Sequence, residues 1–224
     1  MDIKDESIPW LDAMEPELDH RVVQYLLENH MEYQKLREKL TEESRKCSVI
    51  TRLVDATGEI HFTSEEHQIY LRYRQLKENM EAVERKYLYL MGQADMVPYC
   101  QALLGLSRKG AKKIKPPIQH MNLESWQMEL INYAVIEAEQ NARENCKDYG
   151  EINKQISDLN RRYPFIDGLM DQSKITEGRA FSVEELQAIS DCLKLENDKR
   201  YIEETELYLK GIRDGYSLKK ILEP

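Results

Sequence analysis

The feature that most constrains the fold is an internal duplication. Residues 28–55 align with 144–171 at an offset of 116, and residues 62–103 align with 181–222 at an offset of 119. The aligned blocks contain 7 identities in 28 positions and 12 in 42, whereas helix-rich composition alone gives roughly 5 over both. The rarer matched pairs are Asn29/Asn145, Tyr33/Tyr149, Phe62/Phe181, Tyr89/Tyr208, Gly92/Gly211 and Asp95/Asp214. A period of about 117 residues indicates a duplicated unit rather than a solenoid of short repeats.

The repeated unit has the pattern of two long helices. Charged residues make up 33% of the chain, and glycine (9) and proline (7) are scarce. Apolar residues recur every three or four positions from Val22 to Val54, with Asn29 and Glu43 interrupting, and from Ile69 to Leu90 without interruption, which predicts one amphipathic helix in each stretch. Because a short loop joins them, the two helices should pack antiparallel. In the second copy, the first stripe begins near Trp126.

We therefore predict an all-α fold of two tandem, diverged, coiled-coil-like helical hairpins joined by a basic linker. The predicted divisions are an acidic N-terminal segment (1–18), hairpin repeat 1 (19–104), the linker (105–121) and hairpin repeat 2 (122–224).

Several local signals place the ends of the helices. Thr63 with Glu66, and Ser182 with Glu185, have the spacing of a capping box at the start of each second arm. Pro164 should kink or end the first arm of the second copy.

Each second arm then runs into Gly-x-x-Asp, at Gly92 and Asp95 and again at Gly211 and Asp214. Such a glycine either stops the helix or allows close packing within a continuous one. Pro98 favours a break in the first copy, since proline suits the first turn of a new helix.

The most distinctive shared motif is Glu-Asn-x-x-x-Tyr. Asn29 and Tyr33, like Asn145 and Tyr149, are i and i+4 neighbours on a helix. The favoured interpretation is structural: an interfacial Asn that fixes the packing register, with Tyr filling space. The alternative is a paired site for a ligand or partner.

Charge is unevenly distributed along the chain. The net charge is −9, although one short stretch carries five bases and no acid, so the remaining residues carry −14. The five bases are Arg108, Lys109, Lys112, Lys113 and Lys115. An acidic body repels phosphate and argues against general nucleic-acid binding. The basic stretch is either a solvated connector or a local phosphate or nucleic-acid contact, and no aromatic residues are interleaved there for base stacking.

No catalytic, cofactor or metal motif is found in the sequence. The five histidines lack tight ligand spacing; His61 and His67 flank a helix start where Glu66 serves as a cap. The four cysteines are widely spaced, without a C-x-x-C pair, which favours reduced thiols. The N-terminus lacks the apolar segment of a signal peptide, and no apolar run reaches the length of a membrane span. We expect a soluble, cytoplasmic protein that is not an enzyme, with no cofactor and no metal.

The run EEHQIYLRYRQLKENMEAVERKYLYLMGQAD and its echo YLKGIRDGYSLKKIL resemble short helical proteins of unknown function from Firmicutes mobile elements and prophages. This resemblance implies a role in the biology of such elements, including antagonism of host defence.

The main functional hypothesis is thus a non-enzymatic protein that binds a macromolecule, in its sharper form an acidic inhibitor of a host defence nuclease. The alternative is a nucleic-acid-binding accessory protein of a mobile element that acts through residues 108–115. Exposed heptad stripes also permit a homodimer.

Overall fold

The computed structural model describes residues 20–46, 53, 60–103, 125–170 and 178–222. These residues form seven helices and one two-stranded sheet, and the predicted all-α class with two helical hairpins is confirmed. The elements in chain order are α1 (20–29), α2 (Met31–Lys46), β1 (Ile60–Phe62), α3 (Ser64–Leu103), α4 (Ser125–Asn145), α5 (Lys147–Arg162), α6 (Phe165–Met170), β2 (Arg179–Phe181) and α7 (Val183–Leu222). Within these ranges, no helix combines the length and the apolarity that a membrane crossing requires.

Both predicted capping boxes are present. The Thr63 hydroxyl accepts a 3.1 Å hydrogen bond from the backbone N–H of Glu66, whose carboxylate accepts one of 2.9 Å from the Thr63 N–H. Ser182 and Glu185 make the same exchange at 3.2 and 3.0 Å. These exchanges satisfy backbone donors that the first turn of a helix cannot pair internally, so α3 and α7 begin where the sequence indicates.

Pro164 also acts as predicted. Helix α5 ends at Arg162, Tyr163 is its C-terminal cap, and α6 starts at Phe165, directly after the proline. The Tyr163 N–H donates a 2.7 Å hydrogen bond to the carbonyl of Leu159, which closes the last turn before the chain leaves the helix.

The first arm of each repeat is not the single helix predicted from its stripe. It is interrupted at His30 between α1 and α2, and at Cys146 between α4 and α5. The His30 imidazole Nδ1 accepts a 3.0 Å hydrogen bond from the Tyr33 N–H, so this side chain caps α2 in the manner of an N-cap residue. Cys146 has an extended backbone (φ −99°, ψ 112°) and no capping side-chain bond. The interruption occupies one residue, which is too short to disturb the apolar periodicity visibly.

The break predicted at Gly92 is wrong. Helix α3 continues from Ser64 to Leu103 through both Gly92 and Pro98, and α7 likewise continues through Gly211. The correct interpretation is the alternative one, because these glycines are contact points between two uninterrupted helices.

A feature that the sequence did not predict is the strand pair. β1 and β2 are antiparallel, with Ile60 opposite Phe181, His61 opposite Ala180 and Phe62 opposite Arg179. At the repeat offset of 119, His61 is equivalent to Ala180, so the ladder is centred on one equivalent pair. The two repeats are therefore joined there by a local pseudo-twofold relation.

The described helices contribute to two compact units. Unit 1 consists of Met1–Tyr33, Val83–Glu139 and Glu204–Pro224. Within it, α1 and the start of α2 run antiparallel to α3, since Arg21 of α1 pairs with Asp95 at 3.0 Å and Tyr33 of α2 bonds Glu84. Its central apolar cluster consists of Tyr89, Ile131, Ala134, Ala138 and Leu207.

Unit 2 consists of Gln34–Ala82 and Gln140–Glu203. Here α5 lies antiparallel to the first part of α7, with the Tyr149 hydroxyl 2.8 Å from Glu203 and Arg162 3.3 Å from Glu184. Its buried cluster consists of Leu53, Tyr70, Ile166, Leu169, Phe181, Leu186, Ala188, Ile189 and Cys192. Each unit thus draws its core from both repeats.

Candidate functional site

Two helices come into backbone contact at the shared glycines of unit 1. A Cβ atom added to Gly92 would lie 3.2 Å from the Cα of Gly211 and would overlap the carbonyl oxygen of Tyr208. The reciprocal Cβ on Gly211 would lie 3.2 Å from the Cα of Gly92 and would overlap the carbonyl of Tyr89. Gly215 is also tight, with its added Cβ 3.0 Å from the carbonyl oxygen of Gln93. Only glycine allows α3 and α7 to approach this closely.

Two tyrosine–aspartate hydrogen bonds flank this contact, and each joins one repeat to the other. The Tyr89 hydroxyl donates to Asp214 at 2.7 Å, and the Tyr208 hydroxyl donates to Asp95 at 3.0 Å. Both tyrosines are 1% exposed. We call these four residues, with the two glycines between them, the glycine crossing. It brings together six positions that the sequence comparison had already paired.

The two aspartates are neutralised in different ways. Asp95 receives the guanidinium of Arg21 at 3.0 Å. Asp214 receives Lys210 at 2.9 Å, and the same ammonium binds Glu137 at 2.6 Å. At the offset of 116, Arg21 is equivalent to Glu137, so a base of one copy is an acid in the other. Lys210 compensates for this reversal.

The tyrosines of the crossing are held in their neutral form. Burial, with the carboxylates of Asp214 and Asp95 adding to it, raises the pKa of both Tyr89 and Tyr208 above the ordinary value. Although burial lowers the pKa of Lys210, its hydrogen bonds to Glu137 and Asp214 raise that pKa on balance. The phenols therefore serve as hydrogen-bond donors, and the lysine remains charged, which is suited to packing two repeats together.

The Glu-Asn-x-x-x-Tyr motif has split roles. Tyr33 and Tyr149 are each 1% exposed. Their hydroxyls bind equivalent carboxylates, Glu84 and Glu203. Burial and the bond to Glu203 raise the pKa of Tyr149 to about 12.

The two asparagines, in contrast, are exposed rather than interfacial. Asn29 donates a 2.9 Å bond to the Tyr25 carbonyl, and Asn145 donates one of 2.7 Å to Asn141. Each asparagine ends a helix, so the motif marks the interruption of the first arm.

An open groove of about 510 Å³ lies between α5 and α7 in unit 2. Its charges alternate in sign and pair locally: Asp191 lies 3.7 Å from Lys194, Asp158 binds Arg161, and Arg162 lies 3.3 Å from Glu184. A ligand site gathers a few converging polar groups over an apolar floor. This groove does not concentrate charge of either sign.

The surface that sequence reasoning missed is the outer face of α4. Its large apolar residues are exposed: Trp126 by 59%, Leu130 by 47%, Tyr133 by 68% and Ile136 by 59%. The buried face of the same helix is built mainly from small residues, namely Ala134, Ala138 and Ala142, with Ile131. Because both faces are apolar in part, the periodicity of the sequence does not reveal which one faces the core. The relevant signal was size, since α4 places its small residues inward.

The predicted basic site and the metal-ligating residue types remain to be located. The five bases Arg108, Lys109, Lys112, Lys113 and Lys115 lie outside the described residues. Among the residues that are described, no group of three or more His, Cys, Asp or Glu side chains is arranged to hold a metal ion.

Two copies of one helical unit, joined through equivalent residues in each compact unit, define a tandem-repeat α-helical protein. The model of a family of unknown function (DUF6664) matches residues 6–104 and again residues 126–223. The chain belongs to this family and contains its unit twice, so the duplication detected within the sequence is confirmed. No curated protein and no solved structure matches the chain.

Proposed function

We propose that the protein acts by binding another macromolecule rather than by catalysis, and that its partner is a basic protein such as a host defence nuclease. The observation that carries this proposal is the character of α4. This helix has four carboxylates and one base, Arg143, a net charge of −3, together with an exposed apolar face. The partner that suits such a helix presents positive charge beside apolar side chains.

The polar groups at the glycine crossing support a binding role indirectly. Tyr89 and Tyr208 are buried and donate to carboxylates of the opposite repeat. Since their raised pKa values keep both phenols neutral, they are poor nucleophiles and poor bases. Their chemistry is used to hold the two repeats together, which leaves the surface for recognition.

An inhibitor of this class would place carboxylates where the nuclease normally binds phosphates. The test is the transformation of unmodified plasmid into cells that carry a restriction or CRISPR nuclease, with and without this protein. We expect the protein to raise transformation efficiency, and Glu129→Gln with Glu137→Gln to reduce that gain. The control, Glu38→Gln with Glu42→Gln, alters two exposed acids of α2, whose bases outnumber its acids. A gain that survives neutralisation of α4, or no gain against any such nuclease, contradicts the proposal.

The alternative function is nucleic-acid binding through residues 108–115. It is favoured by five bases with no intervening acid. A DNA mobility shift at low salt that disappears when the four lysines become alanine would favour it over the inhibitor, because phosphate contacts by lysine release counterions and depend steeply on salt.

A further inference from the structure

The outer face of α4 has the spacing of a helix-packing surface. Trp126, Leu130 and Tyr133 follow one another at i, i+4 and i+7, so they form one ridge along the helix, with Ile136 beside it. The ridge from Trp126 to Ile136 is about 15 Å long at 1.5 Å per residue. All four side chains are exposed by 47% or more. A ridge of about 15 Å matches three turns of a partner helix.

The backbone of α4 cannot itself recognise a partner. Its backbone N–H and C=O groups are paired within the helix, so they offer no hydrogen-bonding partners to an extended peptide strand. What remains is a ridge of side chains, and a ridge is complementary to the groove between the side-chain rows of another helix. The shape therefore favours a helical partner.

Carboxylates at the same face select the charge of that helix. Glu129 is exposed, and the Glu137 side chain is 62% exposed although one of its oxygens binds Lys210. At 100° per residue, both lie within about 60° of the line through Trp126. Glu129 lies beside the ridge, and Glu137 continues its line one turn beyond Tyr133. The two carboxylates thus border the apolar row on one side and at its C-terminal end, where they favour lysine or arginine on the partner.

The same carboxylates disfavour other occupants. In an antiparallel pairing with a second copy centred on Tyr133, Glu129 of each copy would lie opposite Glu137 of the other. Like charges in those positions destabilise the pairing. Nucleic acid and anionic lipid surfaces are repelled in the same way.

We propose that the outer face of α4 is a docking site for an amphipathic helix of a partner protein, whose apolar stripe is bordered by lysine or arginine. This inference rests on the proposed function only in that the chain acts by binding. The identity of the partner as a nuclease is a separate matter.

The test uses the full chain and two synthetic helical peptides. The first peptide has a three-turn leucine stripe bordered by lysines, and its twin has glutamates in place of the lysines. In a Trp10→Phe background, Trp126 is the only tryptophan, so its emission reports binding directly. We expect the lysine peptide to shift this emission to the blue in a saturable way, and the glutamate twin to bind at least tenfold more weakly.

Variants of the face provide the second arm of the test. Leu130→Ala with Tyr133→Ala should weaken binding of the lysine peptide by tenfold or more, because truncating the anchor side chains of an interface removes much of its binding free energy. Glu129→Gln with Glu137→Gln should weaken it and flatten its salt dependence. Met31→Ala, which trims an equally exposed (68%) apolar side chain on α2, should leave it unchanged. Since all these residues are exposed, circular dichroism should show wild-type helicity in each variant.

Equal binding of both peptides, no binding of either, or indifference to the Leu130 and Tyr133 variants would overturn the proposal. A dimer in sedimentation that these variants abolish would assign the face to a second copy and would overturn it as well. Loss of peptide binding with intact protection from a nuclease would leave the proposed function standing. Peptide binding without protection from a nuclease would support the docking site and contradict the proposed inhibitor function.

Discussion

Replacing either glycine of the crossing with alanine should destabilise the protein, against the usual effect of that substitution in a helix. Glycine in a helix interior is normally less stable than alanine by roughly 0.5–1 kcal/mol, because the unfolded glycine has more conformational freedom. Gly150, in α5, has no atom beyond its own stretch of helix backbone within 4 Å of the position that an added Cβ would occupy. Gly150→Ala should therefore stabilise the chain by about that amount.

At Gly92 and Gly211 the same methyl meets backbone rather than open space. The added Cβ would approach the carbonyl oxygen of Tyr208 or Tyr89 closer than 3.0 Å, a separation that real Cβ atoms essentially never show. A carbonyl inside a helix cannot rotate away, so α3 and α7 must separate.

Overpacking of this kind costs about 1–3 kcal/mol. Separation also weakens the two tyrosine–aspartate bonds, and a hydrogen bond to a charged group is worth roughly 1.5–3 kcal/mol. We expect Gly92→Ala and Gly211→Ala each to lower the free energy of unfolding by at least about 2 kcal/mol after the alanine gain is subtracted.

The assay is urea unfolding monitored by circular dichroism. In thermal unfolding, each kcal/mol of destabilisation should lower the Tm by about 2–4 °C for a chain of this size. Gly215→Ala should fall between the other variants, because its Cβ would lie 3.0 Å from the Gln93 oxygen. The double variant of Gly92 and Gly211 should cost less than the sum, since the first methyl already separates the helices. If Gly92→Ala and Gly211→Ala stabilise the protein as Gly150→Ala does, the close approach is refuted.

A double-mutant cycle of Tyr89→Phe with Asp214→Asn should give a coupling free energy of about 1–2 kcal/mol in urea unfolding, because their bond is buried and charge-assisted; independent effects would remove it from the account. Burial and the bond to Glu203 raise the pKa of Tyr149 from 10.0 to about 12, so the folded chain keeps a proton that the unfolded chain releases. The free energy of unfolding should accordingly fall as pH rises from 10 to 12, and a flat profile would count against this. Burial raises the pKa of the Cys192 thiol to about 11. In a variant that keeps only Cys146 and Cys192, with the other two cysteines replaced by serine, a disulfide reagent should therefore label the half-buried Cys146 first. Equal labelling rates would contradict the burial of Cys192.

Local sequence rules predicted the helix starts and the stop at Pro164, because caps and prolines act through neighbouring backbone groups. Thr63 and Ser182 satisfy donors three residues away whatever the rest of the fold does. The duplication was equally accessible, since it requires only comparison of the chain with itself. Both kinds of inference depend on near neighbours or on identity, and neither requires knowledge of what packs against what.

The incorrect and missing predictions all depend on contacts between distant residues. Gly92 resembles a helix stop until the backbone of Gly211 is known to lie against it. The exposure of Trp126 depends on which face of α4 is buried, and alanines at the interface made that face inconspicuous. His30 interrupts the first arm through its own ring, which accepts from Tyr33. The pairing of β1 with β2 joins segments about 120 residues apart and carries no local signal.

The central claim is that the two repeats pack on each other within each compact unit, and cleavage of the linker tests it most directly. A protease site inserted after Gly110 allows the chain to be cut between the repeats without altering either of them. Contacts such as Tyr89 with Asp214 and β1 with β2 should then hold the fragments together. We expect the cut halves to elute together at the volume of the intact chain and to unfold in one transition. Halves that separate at micromolar concentration and retain their helicity would show that each repeat folds alone, and would contradict the account.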